Sequence, residues 1–324
     1  MATTAKGRTS RLFVGLAATT ALLVFGLIVF GAVVRVTDSG LGCNNEWPTC
    51  HGSLIPPLDN VTAVIEWLHR FFAVMIGLLG LATLGVAVIA YRKRNKTVLY
   101  ATCAAALLFA LQSTLGALVV VFDLPPTIVT LHLGTAMLLL GALVIACLAA
   151  FYRPKQHYAR DSFTALAYMT TALALVIILT GALVRGSGAT LACTDYPLCN
   201  GQVLPFEQGS LATIHMLHRT AVGGLGIALI LVVVSAFRQR QSRAIRLIAT
   251  MALTTYFMQA GIGAIYVLSR ATPEWGAAHV AFAALTWSTM ILLSTVETVN
   301  SRPPISEVEQ VWQRPSEPVL SRSN

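Results

Sequence analysis

Charge is what this sequence has least of. Only 11% of its 324 residues are Asp, Glu, Lys or Arg, whereas a soluble domain carries about 25%. That shortage excludes an ordinary water-soluble globular chain. Polar stretches are short as well, and the apolar runs follow one another so closely that no soluble domain fits between them. Proline is missing from the interiors of those runs, so the broken midplane helices typical of transporters are not expected. Neither cysteine-bearing loop contains a C-x2-C pair, which counts against a metal knuckle there.

What is present is hydrophobic, at 56% of residues. Runs of about 20 apolar residues cross a bilayer as helices. Eight are legible, at 12–34, 62–91, 97–122, 126–152, 162–184, 210–237, 247–269 and 275–297. The first is too long for a signal-peptide core and lacks a small-x-small cleavage site, so it reads as a helix. The expected fold class is all-α integral membrane. Lys6, Arg8 and Arg11 precede the first span, and Arg92, Lys93, Arg94 and Lys96 follow the second. Arg153, Lys155 and Arg160 follow the fourth, and Arg238, Arg240, Arg243 and Arg246 the sixth. The alternate loops hold mainly Arg35, Arg185 and Arg270. This bias places both termini in the cytoplasm of a multi-pass cell-membrane protein. It also accounts for the net charge of +9, which is therefore no sign of nucleic-acid binding. Residues 298–324, with Pro303, Pro304, Pro315 and Pro318, read as a disordered cytoplasmic tail.

The halves repeat. GAVVR at 31–35 recurs as GALVR at 181–185, and WPTCHG at 47–52 as YPLCNG at 196–201. LHR at 68–70 recurs at 217–219, and QSTLGA at 112–117 as QAGIGA at 259–264. Ordered matches at nearly constant offset, on Cys, His, Arg, Pro and Gln, point to duplication. Four helices per unit give both units the same membrane orientation, a parallel repeat. The expected organisation is a cytoplasmic N-terminus (1–11), a four-helix bundle (12–152), a linker (153–161), a second bundle (162–297) and the tail.

His69, His132, His218 and His279 fall one on each even-numbered span, at depths agreeing to about one turn. The repeat pairs His69 with His132 and His218 with His279. Two imidazoles facing across an apolar bundle can supply both axial ligands of a heme iron. The alternatives are histidines that pack or hydrogen-bond between helices, and zinc, which no carboxylate or cysteine recurring beside all four positions supports. Arg70 and Arg219 each follow a histidine and can reach the interface, toward heme propionates or lipid headgroups. Arg35 and Arg185 carry the same two readings. Cys43 with Cys50, and Cys193 with Cys199, lie in exoplasmic loops where intraloop disulfides are expected, either structural or redox-active. Glu66 breaks the symmetry, because His215 stands in its place in the second half. A carboxylate one turn from His69 can accept a proton or stabilise a developing cation. The other reading is an interfacial Glu paired with Arg70.

Taken together, E-x-x-H-R at Glu66, His69 and Arg70, His132, L-H-R at His218 and Arg219, His279, eight spans and the GLGCNNEWPTCHG loop resemble the heme A synthase family (CtaA/Cox type). The resemblance covers about residues 12–297. It implies oxidation of the C8 methyl of heme O, by successive hydroxylations, to the formyl group of heme A for cytochrome oxidase assembly. It implies heme b as cofactor on His218 and His279, and the reacting heme on His69 and His132. It implies Glu66 as the catalytic carboxylate and a Cys43–Cys50 disulfide. A heme O synthase is the expected upstream partner. The electron acceptor, the source of oxygen and any homo-oligomer are left open. The competing readings are a quinol-linked di-heme b cytochrome and a heme transporter or chaperone.

Overall fold

A computed structural model of the chain describes residues 10–154 and 157–301. The anticipated tail beyond Ser301, and Lys6, Arg8 and Lys155 of the charge-bias argument, lie outside the described residues. Eight helices account for the architecture: α1 Arg11–Val36, α2 Val61–Tyr91, α3 Lys96–Val121, α4 Pro126–Phe151, α5 Ser162–Gly186, α6 Ser210–Gln239, α7 Arg243–Leu268 and α8 Pro273–Asn300. Each is long and apolar enough to cross a membrane. Among the described residues there is no β-strand, only the isolated bridges Cys50–Ser53 and Cys199–Gln202.

The helix starts are legible locally. Ser10, Asn60 and Asn95 cap α1, α2 and α3 by accepting from Phe13, Ala63 and Val98 amides, each satisfying an otherwise orphaned donor. Asp161 and Thr164 form a reciprocal capping box on α5. Pro126 and Pro273 open α4 and α8, where a fixed φ and a missing N–H cost nothing. Two boundaries differ from expectation: α8 runs on to Asn300, through the first three residues of the anticipated tail, and α7 begins at Arg243, four residues before the apolar run. Arg243 and Arg246 are both helical; Arg243 is exposed, while Arg246 donates back to the Arg240 carbonyl at 2.7 Å.

Within the first half, α1 packs on α2 and α4, α2 on α3, and α3 on α4. Within the second, α5 packs on α6 and α8, α6 on α7, and α7 on α8. The halves meet where α1 lies on α8, and α4 on α5 and α8. Helix α4 is accordingly the most enclosed, while α2, α3 and α7 are mostly peripheral. Their outward faces carry exposed Ile89, Leu107 and Leu247. Helices apolar on both faces suit a bilayer, where lipid replaces water as solvent.

Candidate functional site

Two equivalent loops cap one end of the molecule, joining α1 to α2 and α5 to α6. Each is closed by a disulfide, Cys43–Cys50 and Cys193–Cys199. In each, a carboxylate gathers loop donors: Glu46 accepts from Thr49 and the Gly52 amide, and Asp195 from the Asn200 and Gly201 amides. The Gly201 amide, then that of Asn200, holds the Asp195 carboxyl below its ordinary range.

Beneath these loops lie the four histidines. His69 and His218 are the ninth residues of α2 and α6, and His132 and His279 the seventh of α4 and α8. Equal depth therefore follows from equal spacing to the helix starts. His132 lies within electrostatic range of His69, and His218 of His279. The pairing matches the one the repeat implies. No three His, Cys, Asp or Glu side chains gather at one point among the described residues, so the four imidazoles form two pairs rather than one cluster.

Each imidazole rests against a glycine of a neighbouring helix. A Cβ on Gly31 would stand 3.1 Å from His69 Nε2, and one on Gly116 3.1 Å from His132 Cε1. On Gly181 it would be 3.0 Å from His218 Cε1, and on Gly263 2.7 Å from His279 Cε1. These are the glycines of GAVVR, QSTLGA, GALVR and QAGIGA. The recurrence was visible in the sequence; that it seats the histidines was not.

The ring hydrogen bonds differ between the halves. In the second half both Nδ1 atoms are donors. His279 Nδ1 is 3.0 Å from the Gln259 carbonyl, which can only accept. His218 Nδ1 is 2.8 Å from Thr180 Oγ1, whose own proton goes to the Ile177 carbonyl. Both rings are thereby fixed as Nδ1–H tautomers with the Nε2 lone pair free, the arrangement that orients a metal-binding imidazole. In the first half Phe30 stands where Thr180 would be, 6.0 Å from the His69 ring. His132 uses Nε2, which lies 3.0 Å from Gln112 Nε2, and its Nδ1 is buried without a partner.

Glu66 is 4% exposed. Its Oε2 accepts from the Cys43 amide at 2.9 Å, and its Oε1 pairs with Arg70 Nη2. Arg70 also donates to the Thr49 carbonyl. The carboxylate thus sits at the seam between α2 and the disulfide loop, one turn from His69. His215, its counterpart, is equally buried, with Nδ1 unpartnered. Arg219 donates to the carbonyls of Leu198 and Cys193. Arg70 and Arg219 therefore strap their loops to α2 and α6. Arg185 donates to the Arg35 carbonyl and to Asp38, at the junction of the halves. The Nε atoms of both Arg35 and Arg185 are buried without an acceptor.

The COX15-CtaA family, described as cytochrome oxidase assembly protein, matches residues 15–291. The heme A synthase of Exiguobacterium sibiricum is 33% identical over 75% of this chain and 80% of its own. That of Alkalihalophilus pseudofirmus is 30% identical over 84% of this chain and 95% of its own. That of Symbiobacterium thermophilum is 34% identical over 78% and 84% respectively.

Proposed function

Because this chain belongs to the COX15-CtaA family of cytochrome oxidase assembly proteins, we propose that it is a heme A synthase, a membrane oxidoreductase converting the C8 methyl of heme O to the formyl group of heme A. Paired imidazoles with apolar surroundings fit bis-histidine ligation of a porphyrin iron. His218 and His279 would hold a resident heme b, which supplies a one-electron redox centre when bound. His69 and His132 would hold the heme undergoing reaction. The observation that carries this division is the ring chemistry: both second-half histidines present a free Nε2, while the His132 Nε2 is engaged by Gln112. A permanent cofactor suits the first arrangement and an exchanging substrate the second.

Glu66 is the residue for proton transfer. Oxidation of a methyl carbon removes protons along with electrons, and a positioned carboxylate can take them. The Cys43 amide and Arg70 hold both its oxygens in place. Arg35 and Arg185 are candidate propionate contacts, since each keeps an unused buried N–H; Arg70 and Arg219 can contribute through their remaining donors. Both termini lie in the cytoplasm, and the disulfide loops and heme sites toward the exoplasmic side, on the Lys/Arg bias. A heme O synthase supplies the substrate.

Pigment extraction from the purified chain tests this. Heme b accompanied by heme O, its hydroxylated form or heme A is expected. Heme b alone, from a host that makes heme O, would mean an electron-transfer cytochrome instead. Glu66→Ala should abolish heme A formation and keep heme b; full activity in that variant would remove Glu66 from the chemistry. His218→Ala should lose heme b, and unchanged heme b content would refute the division between halves.

A further inference from the structure

Gln112, on α3, engages the Nε2 of a proposed ligand, His132. We propose that Gln112 is an exchange latch on His132: its amide competes with a porphyrin iron for the Nε2 lone pair and keeps binding in the first half reversible. This rests on His132 being an iron ligand, as proposed above.

Thr135 sets the orientation of the amide. Its hydroxyl donates to Gln112 Oε1 at 2.5 Å. The NH2 therefore faces His132 at 3.0 Å. An amide nitrogen has no available lone pair, so His132 Nε2 must be the acceptor. Nε2 is the nitrogen left free on His218 and His279; on His132 Gln112 occupies it, and ligation through Nε2 requires that hydrogen bond to open.

The second half lacks the device. Gln259 holds His279 through its backbone carbonyl, and on Nδ1. Phe282 stands where Thr135 would be, so no hydroxyl orients the Gln259 amide. The competitor exists only in the half expected to release its product.

The test is the release of heme from full-length purified protein to excess apomyoglobin, followed by absorbance. The release phase missing in His132→Ala identifies the first-half heme. Gln112→Leu should slow that phase by about three- to tenfold, the worth of one lost competing hydrogen bond. Thr135→Val should slow it less, and Gln259→Leu should leave the other phase unchanged. Packing damage speeds heme loss, so slower release distinguishes a lost competitor from a structural defect. Gln112→Met, of similar length, serves where leucine fails to fold. First-half release as fast as wild type or faster, with the heme still low-spin in Gln112→Leu and Gln112→Met, would overturn the latch. Detection of heme b alone would instead overturn the heme A synthase reading, and the release rates would still report on the latch.

Discussion

At the scale of single residues, the ligand geometry depends on glycine as much as on histidine. Alanine in place of glycine inside a helix normally stabilises by roughly 0.5–1 kcal/mol. At Gly263 the added methyl would stand 2.7 Å from the His279 ring, which must move. Gly263→Ala is therefore expected to lose second-half heme, read from the optical spectrum and pigment content of the purified protein. Gly261→Ala, two residues away with nothing within 4 Å of the new methyl, should keep it. The four histidines and Glu66 were legible because ionisable groups in apolar runs are rare and these recur, or conspicuously fail to recur, at fixed offset. Gln112, Thr135 and Thr180 were not, because a Gln or Thr in a membrane helix satisfies itself in many ways. Only its neighbour across the helix interface gives it a role.

Among elements, the two ends of the helices are held differently. At the disulfide end, loops are strapped by Arg70 and Arg219. At the opposite end the α4–α5 and α6–α7 connections are fastened to α8. Arg240, counted in the sequence as one more loop charge, is buried there. It bonds Asp161 at 2.7 and 2.8 Å and Glu297 at 2.5 Å, and stacks over Tyr158 and Phe163. Glu297 is fully buried and also accepts from Tyr158 and Thr164. Removing one partner of a buried pair strands the other, at about 3 kcal/mol or more. Glu297→Gln should therefore lower the melting temperature in detergent by several degrees and leave the heme spectrum unchanged. The hydrogen bond from Arg240 holds the Asp161 carboxyl down at about 2. Its unfolded value is about 3.9, so its contribution is fully present above about pH 4 and is lost as pH falls through about 2. The Asp161 side chain is 40% exposed, and solvent screening limits the effect to about 1 kcal/mol. The melting difference between wild type and Asp161→Asn should be constant from pH 7 to about 5 and shrink below about 4. A difference unchanged at pH 3 would show that the charge of Asp161 is not what matters.

For the whole molecule, the seam between the halves is the feature the chain order conceals. Trp287 on α8 donates to the Met137 carbonyl on α4 at 2.6 Å, amid buried Leu140, Met290 and Leu293. Trp287→Phe leaves that bond unmade and a cavity beside it, at a cost of about 1–3 kcal/mol. Thermal melting should show the loss, with both heme signals retained at low temperature. Loss of heme with no change in melting would mean that Trp287 acts on the sites rather than on the seam. The repeat gave the partners within each half. It could not say which helices would be central, because peripheral α2 is as apolar as α4, and α8 is scarcely more apolar than α7.

The sequence alone determined the number of helices, their order, every start but that of α7, and the depth of the four histidines. Those depend on local periodicity, caps and the thickness of a bilayer, all written in consecutive residues. Tertiary structure decided which nitrogen of each histidine is free, that Arg70 and Arg219 hold loops, that Arg240 is buried, and that Gln112 faces His132. These depend on what stands across a helix interface. In a membrane, where both faces of a helix are apolar, hydropathy does not mark that interface.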